Sequence, residues 1–149
     1  MTSTTITGEL GRYAELLGAA KDDPRVLELL QASPHFREAA PFVDSASGHE
    51  WIVIESAADG IRLQFRGGAL AKASIEVAGS AQLDAATGTD SLIDGLDLRT
   101  ATADAVVARL GEPSKRGRTA LQYATAGATV TIAFLHGSVR SVTVSDGRR

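Results

Sequence analysis

From Thr102 to Ser145 the chain carries, in order, every signal of one structural unit, and that order leaves few folds open. Thr102 suits an N-cap, because its hydroxyl can accept from the free amides of a first turn. Asp104 then places a negative charge at the positive end of the helix dipole. Val106, Val107 and Leu110 supply an apolar stripe, Arg109 stands near the C-terminal end, Gly111 is placed to terminate in the left-handed region, and Pro113 bars resumption. Three strands are predicted next. Leu121 and Tyr123 alternate with polar or small neighbours as far as a turn near Gly127. Val130, Ile132 and Phe134 alternate with Thr129, Thr131 and Ala133, His136-Gly137 turns the chain, and Val139, Val142 and Val144 form a β-branched last strand. A period of two marks a strand with one buried face. The unit reads as a helix followed by an antiparallel meander.

The first half carries similar signals. Residues 1–6 read as a frayed end. Leu10, Tyr13, Leu16 and Leu17 recur at helical spacing, with Lys21 near the expected end of that helix. Asp23-Pro24 starts a second helix, since proline at the first helical position loses no hydrogen bond, and Val26, Leu27 and Leu30 are its expected buried stripe. The two form a helical hairpin. Ser33-Pro34 repeats the signal and predicts a short third helix over 35–40, stopped by Pro41. Trp51 to Ile54 is an apolar run suited to a covered strand, with Trp51 as a core anchor. Asp59-Gly60 marks a hairpin. Ile61, Leu63 and Phe65 alternate with charged or polar residues, Gly67-Gly68 turns the chain, and Ala71, Ala73, Ile75 and Val77 form a third strand.

The two meanders align at an offset of 69, which sets Ile52 against Leu121, Leu63 against Ile132, Phe65 against Phe134, Gly68 against Gly137, Ile75 against Val144 and Ser33 against Thr102. Similar loop lengths in two ordinary meanders would also align, and identities are few; a structural duplication is slightly favoured. The fold class is α+β: an N-terminal helical hairpin and two three-stranded antiparallel meanders, about six strands in all, with a helix between them. The strands form one sheet or two apposed ones. The whole chain, 1–149, is read as one domain, with halves 1–78 and 95–149 joined by residues 79–94.

That join is the candidate contact surface. Running on to Asp97, it is rich in Gly, Ser, Thr, Asp and Ala, with Leu83, Leu92, Ile93 and Leu96 as its large apolar anchors. A connection of this length in a compact domain is usually functional or mobile. Residues 73–98 hold five acids and no base, and residues 99–149 hold three acids and eight bases, so the surface is expected to be polarised. Asp84, Asp90, Asp94 and Asp97 are the candidate partner-binding residues, against the plainer reading of loop aspartates as turn formers.

Composition narrows the chemistry. Aromatic residues make up 5% of the chain, so the core must be largely aliphatic. There is no cysteine, which removes thiolate nucleophiles, thiolate metal sites and disulfides together. His35, His49 and His136 lack the spacing of a zinc pair. There is no nucleophile elbow, and Gly67-Gly68 has neither a P-loop lysine nor a dinucleotide fingerprint. Arg109, Lys115, Arg116 and Arg118 form a basic patch and Arg148 and Arg149 end the chain, but no aromatics are interleaved and the net charge is −3. Nucleic acid is therefore not expected as a partner, and the patch reads as a solvated loop. MTSTTITGEL lacks the basic start and apolar core of an export signal, and no apolar run approaches the roughly 20 residues of a membrane span. A cytoplasmic, non-enzymatic protein without cofactor or metal is the expectation.

The segment 98–145, with its cap, a helix ending Leu110-Gly111-Glu112-Pro113, Tyr123 and Phe134 in successive strands, and Val139 with Val142-Thr143 in the last, resembles a unit of small bacterial α+β domains. The small lipoprotein of the outer-membrane barrel-assembly machinery and the β-lactamase-inhibitor protein carry similar units. The two-meander layout after a helical N-terminus also resembles immunity proteins of polymorphic or contact-dependent toxin systems. That resemblance implies a binding protein that neutralises a toxin domain; a structural or assembly module acting through homo-oligomer or other protein contacts is the alternative.

Overall fold

The computed structural model describes residues 4–125 and 127–146. Arg148 and Arg149 lie outside the described residues. The first helix, α1 (Leu10–Leu16), buries Leu10, Tyr13 and Leu16. It stops short of Lys21 because Leu17 leaves the helical region and Gly18 adopts φ 87°. The freed segment runs alongside the sheet instead: Gly18 donates to the Leu70 carbonyl, and Leu70 donates back to Ala19. In α2 (Pro24–Gln31), Asp23 caps the first turn by accepting from the Arg25 amide. Its buried residues are Val26 and Leu29; Leu27, expected inside, is exposed. The α2 stripe is thus three residues apart, on the face that packs into the core.

The predicted helix over 35–40 does not form. Arg37–Glu38 is instead a short strand, β1, and Phe42–Val43 is β2; both pair with β3 (Glu50–Ser56). An edge strand leaves a row of unpaired amides and carbonyls, and β1 satisfies part of that row where a single helical turn between two prolines would satisfy little.

The two meanders are β3, β4 (Ile61–Arg66) and β5 (Ala69–Glu76), and, after α3 (Ala103–Leu110), β7 (Ala120–Thr125), β8 (Ala128–Leu135) and β9 (Ser138–Ser145); β6 (Lys115–Arg116) pairs with β7. All belong to one antiparallel sheet in the order β1-β3-β4-β5-β9-β8-β7-β6, with β2 also on β3. Among the described residues it has nine strands where about six were expected, because three two-residue edge strands escape any periodicity argument. Among the described residues no helix is long and apolar enough to cross a membrane.

The central pair explains the offset of 69. Where β5 meets β9, Ser74 lies opposite Thr143, its own counterpart 69 residues on. Both hairpins turn through two residues, and both carry a register shift at matching positions, Gln64/Phe65 and Ala133/Phe134. The bulged Ala71 carbonyl accepts from Asp146, and the matching Arg140 carbonyl accepts from Val77. The sheet is therefore twofold-like about the Ser74–Thr143 pair. The match fails in two places. Leu63 pairs with Ile54 while Ile132 pairs with Leu121, so β3 and β7 correspond at an offset of 67, because the β3–β4 loop is longer. Ser33 and Thr102 also part company, since only Thr102 begins a helix.

One face of this sheet is the core. Leu63, Phe65, Leu70, Ile75, Tyr123, Val130, Ile132, Val142 and Val144 pack with the buried residues of α1, α2 and α3 and with the 79–101 connection. The opposite face carries Ser74, Thr129, Thr131 and Thr143, all partly exposed. Trp51 points there too, not into the core: it is half-buried with the Arg66 guanidinium 5.7 Å from its ring centre. Only Ile54 and Ser56 of β3 are buried, because an alternating strand near a sheet edge has just one covered side. The N-terminus is tied down from Thr4, whose amide donates to Ala124, and Ile6 packs on the core.

Candidate functional site

The connection that carries the four candidate aspartates is built into the core. Leu83, Ala86, Thr89, Leu92, Ile93, Leu96, Leu98 and Ala101 are all buried. Ser80 opens it by accepting from the Gln82 and Leu83 amides. Asp84 then donates to the Ala57 carbonyl at 2.7 Å and Ala86 to Glu76 at 2.7 Å, which lays this stretch over the β3–β4 turn. Gly60 sits directly beneath, and a β-carbon there would stand 2.3 Å from the Asp84 carbonyl oxygen. Further on, Glu9 and Leu10 donate to Ser91 and Leu92, and Asp94 donates to Thr7. The Arg109 side chain of α3 donates through Nε to the Asp94 carbonyl at 2.8 Å.

With its apolar residues turned inward, the segment turns Asp84, Asp90, Asp94 and Asp97 out to solvent. The structure brings two of them together: Asp90 and Asp97 line one shallow depression with Thr87, Gly88, Thr89 and Arg99. Asp84 stands over the β3–β4 turn and Asp94 beside α3, so neither lines it. Among the described residues none of the four is in an ion pair. Asp97 also serves the turn, accepting from the Arg99 amide at 3.1 Å. What the quartet offers is fixed negative charge in water, displayed on a braced backbone.

The basic patch is divided. Arg109 is spent on Asp94. Lys115 borders a groove of about 450 Å³ on the open sheet face, together with Trp51, Arg66 and Lys72. Arg116 and Arg118 border a separate cleft beside His136. The three histidines lie apart, and among the described residues no group of three His, Asp or Glu side chains is placed to hold a metal ion.

Sequence reasoning missed one polar cluster. Asp59 does turn the β3–β4 hairpin, but its Oδ2 also accepts from Ser33 and from Ser56, each at 2.5 Å, and Ser56 is fully buried. The Ser33 hydroxyl, followed by that of Ser56, holds the Asp59 carboxyl below its ordinary value of 3.8. The carboxylate thereby clamps the segment after α2 to the hairpin. Nearby, burial pushes the Tyr13 phenol above its ordinary value, with the Glu9 carboxylate adding to the rise. The local signal for the clamp was Ser56 three residues before Asp59; its second arm, Ser33, is remote in sequence.

Comparison of the chain with protein-family models, with curated proteins and with solved structures finds no match.

Proposed function

We propose that this chain is a non-enzymatic binding protein, an immunity protein that engages a basic toxin domain through the 79–97 surface. The observation that carries the reading is a set of four exposed carboxylates with no ion-pair partner among the described residues, on a backbone pinned at Asp84, Ala86, Leu92 and Asp94. A surface ordered before encounter loses little conformational entropy on binding, and unneutralised charge of one sign speeds the approach of an oppositely charged partner. Residues turned out of a packed core by alternation with Leu83, Leu92, Ile93 and Leu96 fit that role.

Co-expression with the product of a neighbouring gene tests it. The expected result is a complex and rescue from toxicity. Its association should slow about tenfold or more in high salt, and similarly when Asp84, Asp90, Asp94 and Asp97 are all replaced by Asn. No complex and no rescue would remove the reading. A second reading, an assembly module, draws on the open sheet face with its row of Ser and Thr hydroxyls; a homo-oligomer in light scattering without any partner would favour it.

A further inference from the structure

The pseudo-symmetry of the sheet supplies an internal control for one surface. After β4 the turn is Gly67-Gly68, at φ 59° and 87°, and Phe65 before it is fully buried. After β8 the turn is His136-Gly137, at φ 53° and 82°, and Phe134, the counterpart of Phe65, is only partly covered. His136 is the one non-glycine at positive φ among the described residues. A β-carbon is disfavoured in that region, and glycine occupies the matching position, so the two turns differ by one side chain at 136.

The partly covered Phe134 borders a cleft of about 280 Å³, lined also by Leu121 and Ala103 and by Arg116, Arg118 and His136. Among the described residues no carboxylate lines it. Arg118 has no ion-pair partner among the described residues, and Arg116 reaches only the exposed Glu112 carboxylate, at 3.8 Å.

We propose that this cleft binds a small amphipathic carboxylate, its apolar body on Phe134 and Leu121 and its head group between the Arg116 and Arg118 guanidiniums, with His136 closing the rim. Planar guanidinium forks match a carboxylate in geometry as well as charge. A cleft near the lower end of the usual range for ligand pockets, about 300 to 1,000 Å³, suits a small free acid. The site is separate from the acidic surface, since none of the four aspartates lines it.

Titration of the full chain, followed by amide chemical shifts, tests the proposal with three probes: phenylbutyrate, the neutral phenylbutanol and inorganic phosphate. Phenylbutyrate is expected to give saturable shifts at Gly117, Ala120 and Gly137, with the alcohol and phosphate each about tenfold weaker. Arg118→Ala should weaken phenylbutyrate about tenfold. His136→Gly should weaken it while leaving the melting temperature unchanged or raised, because the backbone preference is then met. The proposal is overturned by an absence of saturable shifts up to millimolar probe, by equal binding of the alcohol or of phosphate, or by either variant binding as tightly as the native chain.

Discussion

Two glycines of similar backbone conformation separate two kinds of constraint. Gly60 and Gly67 have φ of 69° and 59°, but a β-carbon at Gly60 would meet the Asp84 carbonyl oxygen at 2.3 Å and the Ala86 nitrogen at 2.8 Å, while one at Gly67 would meet nothing within 4 Å. Gly67→Ala should therefore lose about 1 kcal/mol, the conformational term alone. Gly60→Ala should lose about 3 kcal/mol or more, because backbone must also move. Urea denaturation of both variants checks the contrast. Asp59 gives a prediction in pH. Its carboxyl is held below 3.8 in the folded state, so folding favours the ionised form. That stabilisation is complete above the ordinary Asp value and is lost as pH falls through the lower folded value. Asp59→Asn should be less stable than the native chain at neutral pH, and the gap should narrow below about pH 4; urea midpoints measured across pH read it directly.

At the scale of elements, local signals held where a helix has its own cap and its own buried face. Thr102 accepts from the Ala105 amide, and Tyr123 Oη donates to the Gly111 carbonyl at 3.0 Å, so α3 is closed at both ends. The segment after Ser33 had the cap without the face, and the open edge of β3 captured it as a strand. The connection shows the reverse case: polar composition spells a tether, yet its few large side chains are as buried as those of the strands. Leu98→Ala should accordingly cost about 2 to 5 kcal/mol, as for a core leucine, where an exposed tether would lose about 0.5 kcal/mol or less. Denaturation measures the loss, and hydrogen exchange should find the Asp84, Ala86 and Asp94 amides protected to the level of the central strands.

For the molecule as a whole, the decisive contact is β5 against β9, which turns two meanders into one sheet with a single covered face. That contact aligns Ser74 with Thr143 and places both hairpin turns, Gly67-Gly68 and His136-Gly137, in related positions. The covering layer does not follow the same symmetry. The stretch matching α3 is the β1 region, and Phe65 is fully buried where Phe134 is only partly covered. The proposed ligand cleft exists because the sheet repeats and its cover does not.

Alternation and caps in the sequence were enough to determine six strands, the helices after Asp23 and Thr102, the two glycine-bearing hairpin turns after β4 and β8, and which side of most strands faces inward, because a period of two or 3.6 is a property of the local backbone. Tertiary structure alone decided that the meanders join edge to edge, that Trp51 faces outward, that Asp90 and Asp97 share a depression, and that Arg116, Arg118 and His136 border one cleft. Each of those depends on which distant edge or face a segment meets, and no local period encodes that choice.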